Sequence, residues 1–254
     1  MGKQQIAQEI QEARASGTTE LQHSEIRNGE LVRYFGDEAE IAVPDTVTTI
    51  ASDAFRGCRK LTDVVLGKNV TSIHPGAFRD CVRLRRVTMP SGLREIGEYA
   101  FRGCRSLVTV ILPRSVYSVD VGAFQDCTSL KKVGLSAELR HLGGFAFAGC
   151  EALEEVSFPD SLNAIHRSTF FRCHSLQHME IPESVQTVGS YAFAQCTALS
   201  ELTLGEDVTY IGRGAFSECH ALRAFRIPAK VRYLGNYLFS CCDALEEVQL
   251  PDTV

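Results

Sequence analysis

One cysteine recurs every 23 residues along most of the chain, and this period limits the fold more than any other feature. Zinc needs ligands that converge on one point, whereas a long fixed period places one thiol in each successive structural unit. Because the sequence also contains no CxxC pair, we expect neither a metal nor a redox site. Only Cys241 stands outside the series, which consists of Cys58, Cys81, Cys104, Cys127, Cys150, Cys173, Cys196, Cys219 and Cys242.

Apolar residues keep the same period, a test that a chance spacing of cysteines would fail. A leucine follows each of these cysteines by three residues, from Leu61 to Leu245, and further aliphatic columns come after it. A phenylalanine precedes each cysteine by three residues. The phenylalanines are Phe55, Phe78, Phe101, Phe124, Phe147, Phe170, Phe193, Phe216 and Phe239.

The order of residues within one unit predicts its local structure. A short apolar strand often ends at a proline, as at Pro90 and Pro113, because proline cannot donate to a strand ladder. A second extended segment follows, and then a glycine for which we expect positive φ. Ala54, Phe55 and Cys58 lie on one face of a helix, which predicts one short helical turn. The glycines are Gly97, Gly143, Gly189, Gly212 and Gly235.

No unit could bury these residues alone, so nine stacked coils with parallel strands are expected. The cysteine would close the helical turn against the core, with its S–H in reach of a carbonyl. A ladder of nine thiols implies a reducing compartment, because neighbouring thiols would mispair in an oxidising one. The residue before Ala-Phe alternates between large and small, as in Tyr99 and Gly122, which predicts packing between neighbouring coils.

Residues 84–104, LRRVTMPSGLREIGEYAFRGC, carry a motif that extends over residues 41–254 without insertion. The motif resembles the BspA-like, or Treponema pallidum type, leucine-rich repeat. The resemblance implies a leucine-rich-repeat solenoid that binds other proteins and contains no cofactor. Residues 1–40 are then expected to cap the first coil, with an amphipathic helix at 3–14 and a β-hairpin that turns at Asn28-Gly29.

The C-terminal end of the array is expected to be uncapped, since LPDTV enters a further unit and no capping segment follows. Two interpretations stay open. The chain is a piece of a longer protein, or an apolar end associates with another copy end to end.

Catalysis requires unlike groups held within hydrogen-bond reach, and the sequence offers no such set. The histidines occupy variable repeat positions, and no GxGxxG, Walker A, HExxH or GxSxG element is present. We therefore expect no catalytic residues. Without a signal peptide or a long apolar run, a cytoplasmic location is expected, or the cell surface if the chain is a fragment of an exported protein.

Charge is distributed unevenly. Residues 55–115 contain twelve Lys or Arg and four Asp or Glu, in a chain of net charge −5. A basic belt on the early strands would steer an acidic protein partner, although drift of charge between units would give the same pattern. A pI of about 5.8 and the lack of interleaved aromatic residues argue against nucleic acid. The expected partner-binding residues are Arg59, Lys60, Arg83, Arg85, Arg86, Arg105, Lys131 and Lys132.

Three functions follow from these patterns. The first is a non-enzymatic protein-interaction scaffold that presents its basic early strands to an acidic partner. The second, implied by the family resemblance, is a cell-surface adhesin module that binds host or matrix proteins. The third is a structural element that assembles end to end.

Overall fold

The structure is a computed structural model that describes residues 21–251, and in this range it consists of short strands joined by turns. The strands are β1 (Ser24–Arg27), β2 (Glu30–Tyr34), β3 (Glu40–Ala42), β4 (Thr49–Ile50), β5 (Asp63–Val65), β6 (Ser72–Ile73), β7 (Arg86–Thr88), β8 (Glu95–Ile96), β9 (Thr109–Ile111), β10 (Ser118–Val119), β11 (Lys132–Gly134), β12 (His141–Leu142), β13 (Glu155–Ser157), β14 (Ala164–Ile165), β15 (His178–Ile181), β16 (Thr187–Val188), β17 (Glu201–Leu204), β18 (Tyr210–Ile211), β19 (Ala224–Arg226), β20 (Tyr233–Leu234) and β21 (Glu247–Gln249).

The strands form two rows along the stack. The long-strand row contains the odd-numbered strands from β3 to β21 and is interrupted between β7 and β9, between β13 and β15 and between β17 and β19. The short-strand row contains the even-numbered strands and is interrupted between β12 and β14. Parallel partners in the array are 23 residues apart, as in Val64 with Val87 and Ile50 with Ile73. The predicted leucine-rich-repeat solenoid of stacked 23-residue coils is confirmed.

Phenylalanine rings form a continuous stack through the core. Phe55 and Phe78 have ring centroids 4.8 Å apart and planes within 4° of parallel, and Phe101 and Phe124 are 5.2 Å apart. The stack reaches Phe239, whose centroid lies 5.9 Å from that of Phe216. Large apolar side chains at one repeat position therefore pack against their own copies in the neighbouring coils.

The cysteine ladder runs beside the ring stack. The Cys81 thiol donates to the carbonyl of Phe55, 3.0 Å away, and the same bond recurs in each following coil up to the bond from Cys242 to Phe216 at 3.1 Å. The ladder cysteines from Cys81 to Cys219 are fully buried. The expected contact between the S–H and a carbonyl is confirmed, and all ten cysteines are free thiols.

The predicted helical turn is wrong, because residues 21–251 contain no helix. The segment is a pair of tight turns, with Arg102 N–H bonded to the Tyr99 carbonyl and Cys104 N–H bonded to the Phe101 carbonyl. Between these bonds, the N–H groups of Phe101 and Gly103 donate to carbonyls of the next coil. An α-helix needs those N–H groups for its own i→i−4 bonds, so bonding between coils excludes it.

The predicted positive φ of the turn glycines is also wrong, because none of Gly97, Gly143, Gly189, Gly212 and Gly235 is left-handed. They are glycines because the preceding coil comes very close. A Cβ on Gly143 would lie 2.5 Å from the backbone nitrogen of Val121. Positive φ occurs elsewhere, at the residue before Ala-Phe, such as Tyr99 at 53°, and at the residue before the cysteine, such as Gly103 at 73°.

Large and small residues before Ala-Phe alternate as expected and contact one another. A Cβ on Gly122 would lie 2.4 Å from the Tyr99 ring, and one on Gly214 would lie 2.7 Å from the Tyr191 ring. Each tyrosine ring thus occupies the space that glycine leaves in the next coil.

The N-terminal hairpin continues the short-strand row. Asn28 and Gly29 have φ of 49° and 79°, as a two-residue hairpin turn requires. Strand β2 then pairs in parallel with β4, Leu31 opposite Ile50. The helix expected at residues 3–14 lies outside the described residues. Within residues 21–251, the structure has no helix that is long and apolar enough to cross a membrane.

Candidate protein-interaction surface

The outward side chains of the long-strand row, together with the turn residues that enter each strand, form a surface that we call the strand face. Side chains alternate between core and solvent along these short strands. Val133 is buried, whereas Lys132 before it is exposed. Because parallel strands pair 23 residues apart, successive coils place side chains of one repeat position next to each other, about 4.8 Å apart.

The predicted partner-binding residues are all exposed. Arg59, Lys60, Arg83 and Arg105 lie in turns that lead to the strand face, while the rest lie in or immediately before strands of that face. These last are Arg85, Arg86, Lys131 and Lys132.

Half of these cations are paired with carboxylates of a neighbouring coil. Lys132 lies 2.6 Å from Glu155, and Lys131 lies 3.3 Å from Glu154. Arg86 Nε donates to Asp63, 2.9 Å away, and Lys60 pairs with Asp37. Exposed pairs of this kind contribute little stability, but they neutralise charge that a partner could otherwise use.

The other four cations have no such partner in the part of the chain that the structure describes. Arg59, Arg83, Arg85 and Arg105 form no ion pair with any residue between 21 and 251. Arg59 and Arg105 occupy the same repeat position two coils apart. Among the eight predicted residues, the positive charge that no described carboxylate pairs thus lies on the coils that carry β5, β7 and β9.

The charge pattern alone did not identify two apolar members of this surface. Val108 is 42% exposed and Ile111 is 60% exposed, both on the coil of β9. They lie between the arginines that precede β7 and the lysines at β11. The sequence could have revealed them by comparing repeat positions. The position of Val108 holds Arg85 one coil earlier and Lys131 one coil later. The position of Ile111 holds Thr88 one coil earlier and Gly134 one coil later.

The later part of the strand face is acidic. Glu154, Glu155 and Glu201 are exposed, and an open groove of about 770 Å³ is lined partly by Asp160, Glu180 and Glu183. Several of these carboxylates already have partners, since Glu201 binds His178 at 3.0 Å. The two halves of the strand face therefore differ in sign.

The thiols of the core are poor nucleophiles. Burial raises the pKa of Cys150 and Cys173 well above the usual range, and it raises the pKa of Cys196 to about 12. These thiols therefore stay protonated near neutral pH. His220, which follows Cys219, binds Asp243 at 2.8 Å. Among the described residues, no group of three or more His, Cys, Asp or Glu is arranged to hold a metal ion.

The comparisons with known proteins agree with this architecture. The profile of the BspA type leucine-rich repeat region, which spans six copies of the repeat, matches residues 35–154 and 140–254. A leucine-rich repeat protein from Bacteroides ovatus is 26% identical over 92% of this chain and 74% of its own, with a TM-score of 0.73. The leucine-rich repeat protein of T. pallidum is 28% identical over 86% of this chain and 98% of its own, with a TM-score of 0.67. The search of curated proteins found no match.

Proposed function

Since the chain belongs to the BspA-type leucine-rich repeat proteins, we propose that it is a non-enzymatic scaffold that binds an acidic protein partner on the early part of its strand face. Leucine-rich repeat proteins are a general type of interaction scaffold, and rigid stacked coils present extended surfaces for binding. Arg83, Arg85 and Arg105 carry the proposal, because they are exposed on neighbouring coils and no carboxylate within residues 21–251 neutralises them.

Electrostatics favours a negatively charged partner for this surface. Like charges on adjacent strands repel each other and cost stability, so a cluster of unpaired arginines is not a feature that folding favours. An acidic partner would relieve this repulsion. It would also be attracted from a distance, and the attraction would weaken as the ionic strength rises.

Capture from a cell lysate with an immobilised chain tests the proposal. The test variant reverses three unpaired arginines, Arg83→Glu, Arg85→Glu and Arg105→Glu. Arg86 is left intact, because its reversal would face Asp63. The matched control carries the same change at exposed arginines in other coils, Arg140→Glu, Arg172→Glu and Arg223→Glu.

We expect proteins with acidic segments to be retained by the wild type and by the control, and lost with the test variant. Circular dichroism must first show that all three chains are folded. If every specific protein is retained equally by the test variant, the basic early surface is not the binding site and the proposal fails.

The match to the BspA-type family favours a second candidate, a cell-surface adhesin module that binds host or matrix proteins. Antibody labelling of intact cells tests it, with labelling of permeabilised cells as the control. Labelling only after permeabilisation would exclude this candidate.

A further inference from the structure

The coil of β9 is the apolar centre of a basic surface. Strands β7 and β11 present Arg86 and Lys132 at the repeat position where β9 presents Thr109. The flanking outward side chains on the β9 coil are Val108 and Ile111, both substantially exposed. Strand propensity favours isoleucine at this position, and an exposed aliphatic pair among cations also offers a partner an apolar contact area.

Ile111 is held in place from the side. Its Cδ1 atom lies 3.0 Å from the point that a Cβ of Gly134 would occupy, so the side chain leans over the bare backbone of β11. Isoleucine is also stiff at χ1. A preordered apolar group loses little conformational freedom when a ligand covers it, which favours binding.

The surroundings of this apolar pair determine the charge of its ligand. Arg83 and Arg85 precede β7, and Arg105 leads into β9, all exposed and none in an ion pair with a described residue. Three neighbouring strands cover roughly 10 Å, which an extended peptide crosses in about three residues. An aliphatic side chain with carboxylates on both sides therefore matches the spacing of Ile111 and the cations around it.

Nucleic acid fits the same cations less well. Its bases bind proteins mainly by stacking on aromatic side chains. The exposed large side chains of the β9 coil on this face are aliphatic.

We infer that Arg83, Arg85, Arg105, Val108 and Ile111 together bind an extended acidic peptide segment through an aliphatic residue at its centre. The inference rests on the proposed function and names the chemistry of the partner. Val108 and Ile111 contact the aliphatic side chain, and the arginines pair with the flanking carboxylates. The aliphatic contact distinguishes this peptide from acidic segments that have no aliphatic residue at their centre.

The probe is a fluorescent peptide of sequence Glu-Asp-Leu-Glu-Asp, with both ends blocked so that they carry no charge. Two matched probes change one property each. One replaces the leucine by serine, and the other replaces the acids by their amides. Fluorescence anisotropy against the full chain measures affinity at two salt concentrations.

We expect the leucine probe to bind roughly tenfold more tightly than the serine probe, and the amide probe not to bind. Ile111→Ser should remove the difference between the leucine and serine probes. Its control is Val65→Ser, at the same repeat position two coils earlier. Arg85→Glu should weaken both acidic probes and reduce the salt dependence. Arg223→Glu, at the same repeat position six coils later, should change neither.

The outcomes separate the two proposals. Equal binding of the leucine and serine probes, both lost in Arg85→Glu, would overturn the apolar anchor and leave the acidic-partner scaffold standing. Acidic probes that bind Arg85→Glu as well as the wild type would overturn both. A ten-nucleotide single strand that binds more tightly than the peptide and is lost in Arg85→Glu would reassign the surface to nucleic acid. A concentration-dependent dimer abolished by Ile111→Ser would reassign it to a second copy of the chain.

Discussion

The Cys127 thiol donates a 3.2 Å hydrogen bond to the carbonyl of Phe101, which belongs to the preceding coil. The same carbonyl accepts the N–H of Cys104 at 3.1 Å, so one acceptor joins a turn to the coil stacked on it. This arrangement repeats along the core and links the ring stack to the thiol ladder.

Cys127→Ala should lower the free energy of unfolding by about 1–2 kcal/mol, because it removes this bond and leaves a small cavity. Urea unfolding followed by circular dichroism measures the change. The exposed Cys241 provides the control, since Cys241→Ala should stay within about 0.5 kcal/mol of the wild type. Equal effects of the two substitutions would show that the ladder bond contributes nothing.

Thiol reactivity should follow burial. At pH 8, a chromogenic disulfide reagent should react quickly with Cys241 and slowly with the buried thiols, whose pKa burial raises. In guanidinium chloride all ten cysteines should react at similar rates. Substitution of Cys241 by alanine should remove one thiol from the fast phase and leave at most the half-buried Cys58 and Cys242 in it. Rapid reaction of more than two thiols in the Cys241→Ala chain would contradict the buried ladder, because only Cys58 and Cys242 are half-buried.

Gly143→Ala should destabilise the fold by about 1–3 kcal/mol or more, as at other overpacked core positions. The added Cβ would lie 2.5 Å from the backbone nitrogen of Val121, and backbone cannot move aside cheaply. Gly92→Ala is the control, because the nearest atom to its Cβ is the Lys68 carbonyl oxygen at 3.8 Å and its φ is not left-handed. Thermal unfolding should show a large drop in midpoint for the first and little change for the second. Similar midpoints would refute the close approach of the coils.

Lowering the pH should reduce the stability of the N-terminal hairpin region, because Glu38 becomes protonated. A hydrogen bond from the Tyr34 hydroxyl, followed by a backbone bond and the contact with His23, lowers the pKa of Glu38 to about 2. A depressed carboxyl pKa contributes stability above the unfolded value of about 4.3, and this contribution disappears as the pH falls toward the folded value. Glu38→Gln should therefore be less stable than the wild type at pH 6, and the difference should shrink as the pH falls toward 2 and vanish below it.

Urea unfolding at a series of pH values measures this convergence. Glu151→Gln removes an exposed carboxylate that makes no ion pair with a described residue, so it should show the same small effect at both pH values. If the difference between Glu38→Gln and the wild type does not change with pH, the bond to Tyr34 is not formed in solution.

The sequence predicts most of the core because burial repeats with the period. Phe124 and Cys127 recur in every unit, and only stacking can bury such columns. The turn was mispredicted as a helix because the N–H groups of Phe101 and Gly103 bond to another coil, which a local pattern cannot reveal. The glycine prediction failed for the same reason. Gly143 is dictated by a neighbour 22 residues earlier in the chain, Val121, rather than by its own φ.

The sequence predicts where the candidate surface lies. It predicts less well which of its cations are paired with carboxylates. Exposure of Arg85 and Lys132 follows from strand alternation. Which cations keep their charge free depends on contacts between coils, such as the one between Lys132 and Glu155. Those contacts depend on which carboxylate a long, flexible side chain reaches, and spacing alone does not decide this. The apolar pair was visible as outward positions, but its exposure needed the structure.

The alternation of Tyr99 with Gly122, and of Tyr191 with Gly214, affects how such an array can change length during evolution. Inserting a single coil would place two rings, or two empty positions, next to each other. Inserting two coils restores the alternation. We therefore expect the heritable unit of duplication to be a pair of repeats, so that arrays of this type grow and shrink in double steps. Comparing the stability of chains lengthened by one coil and by two would test this.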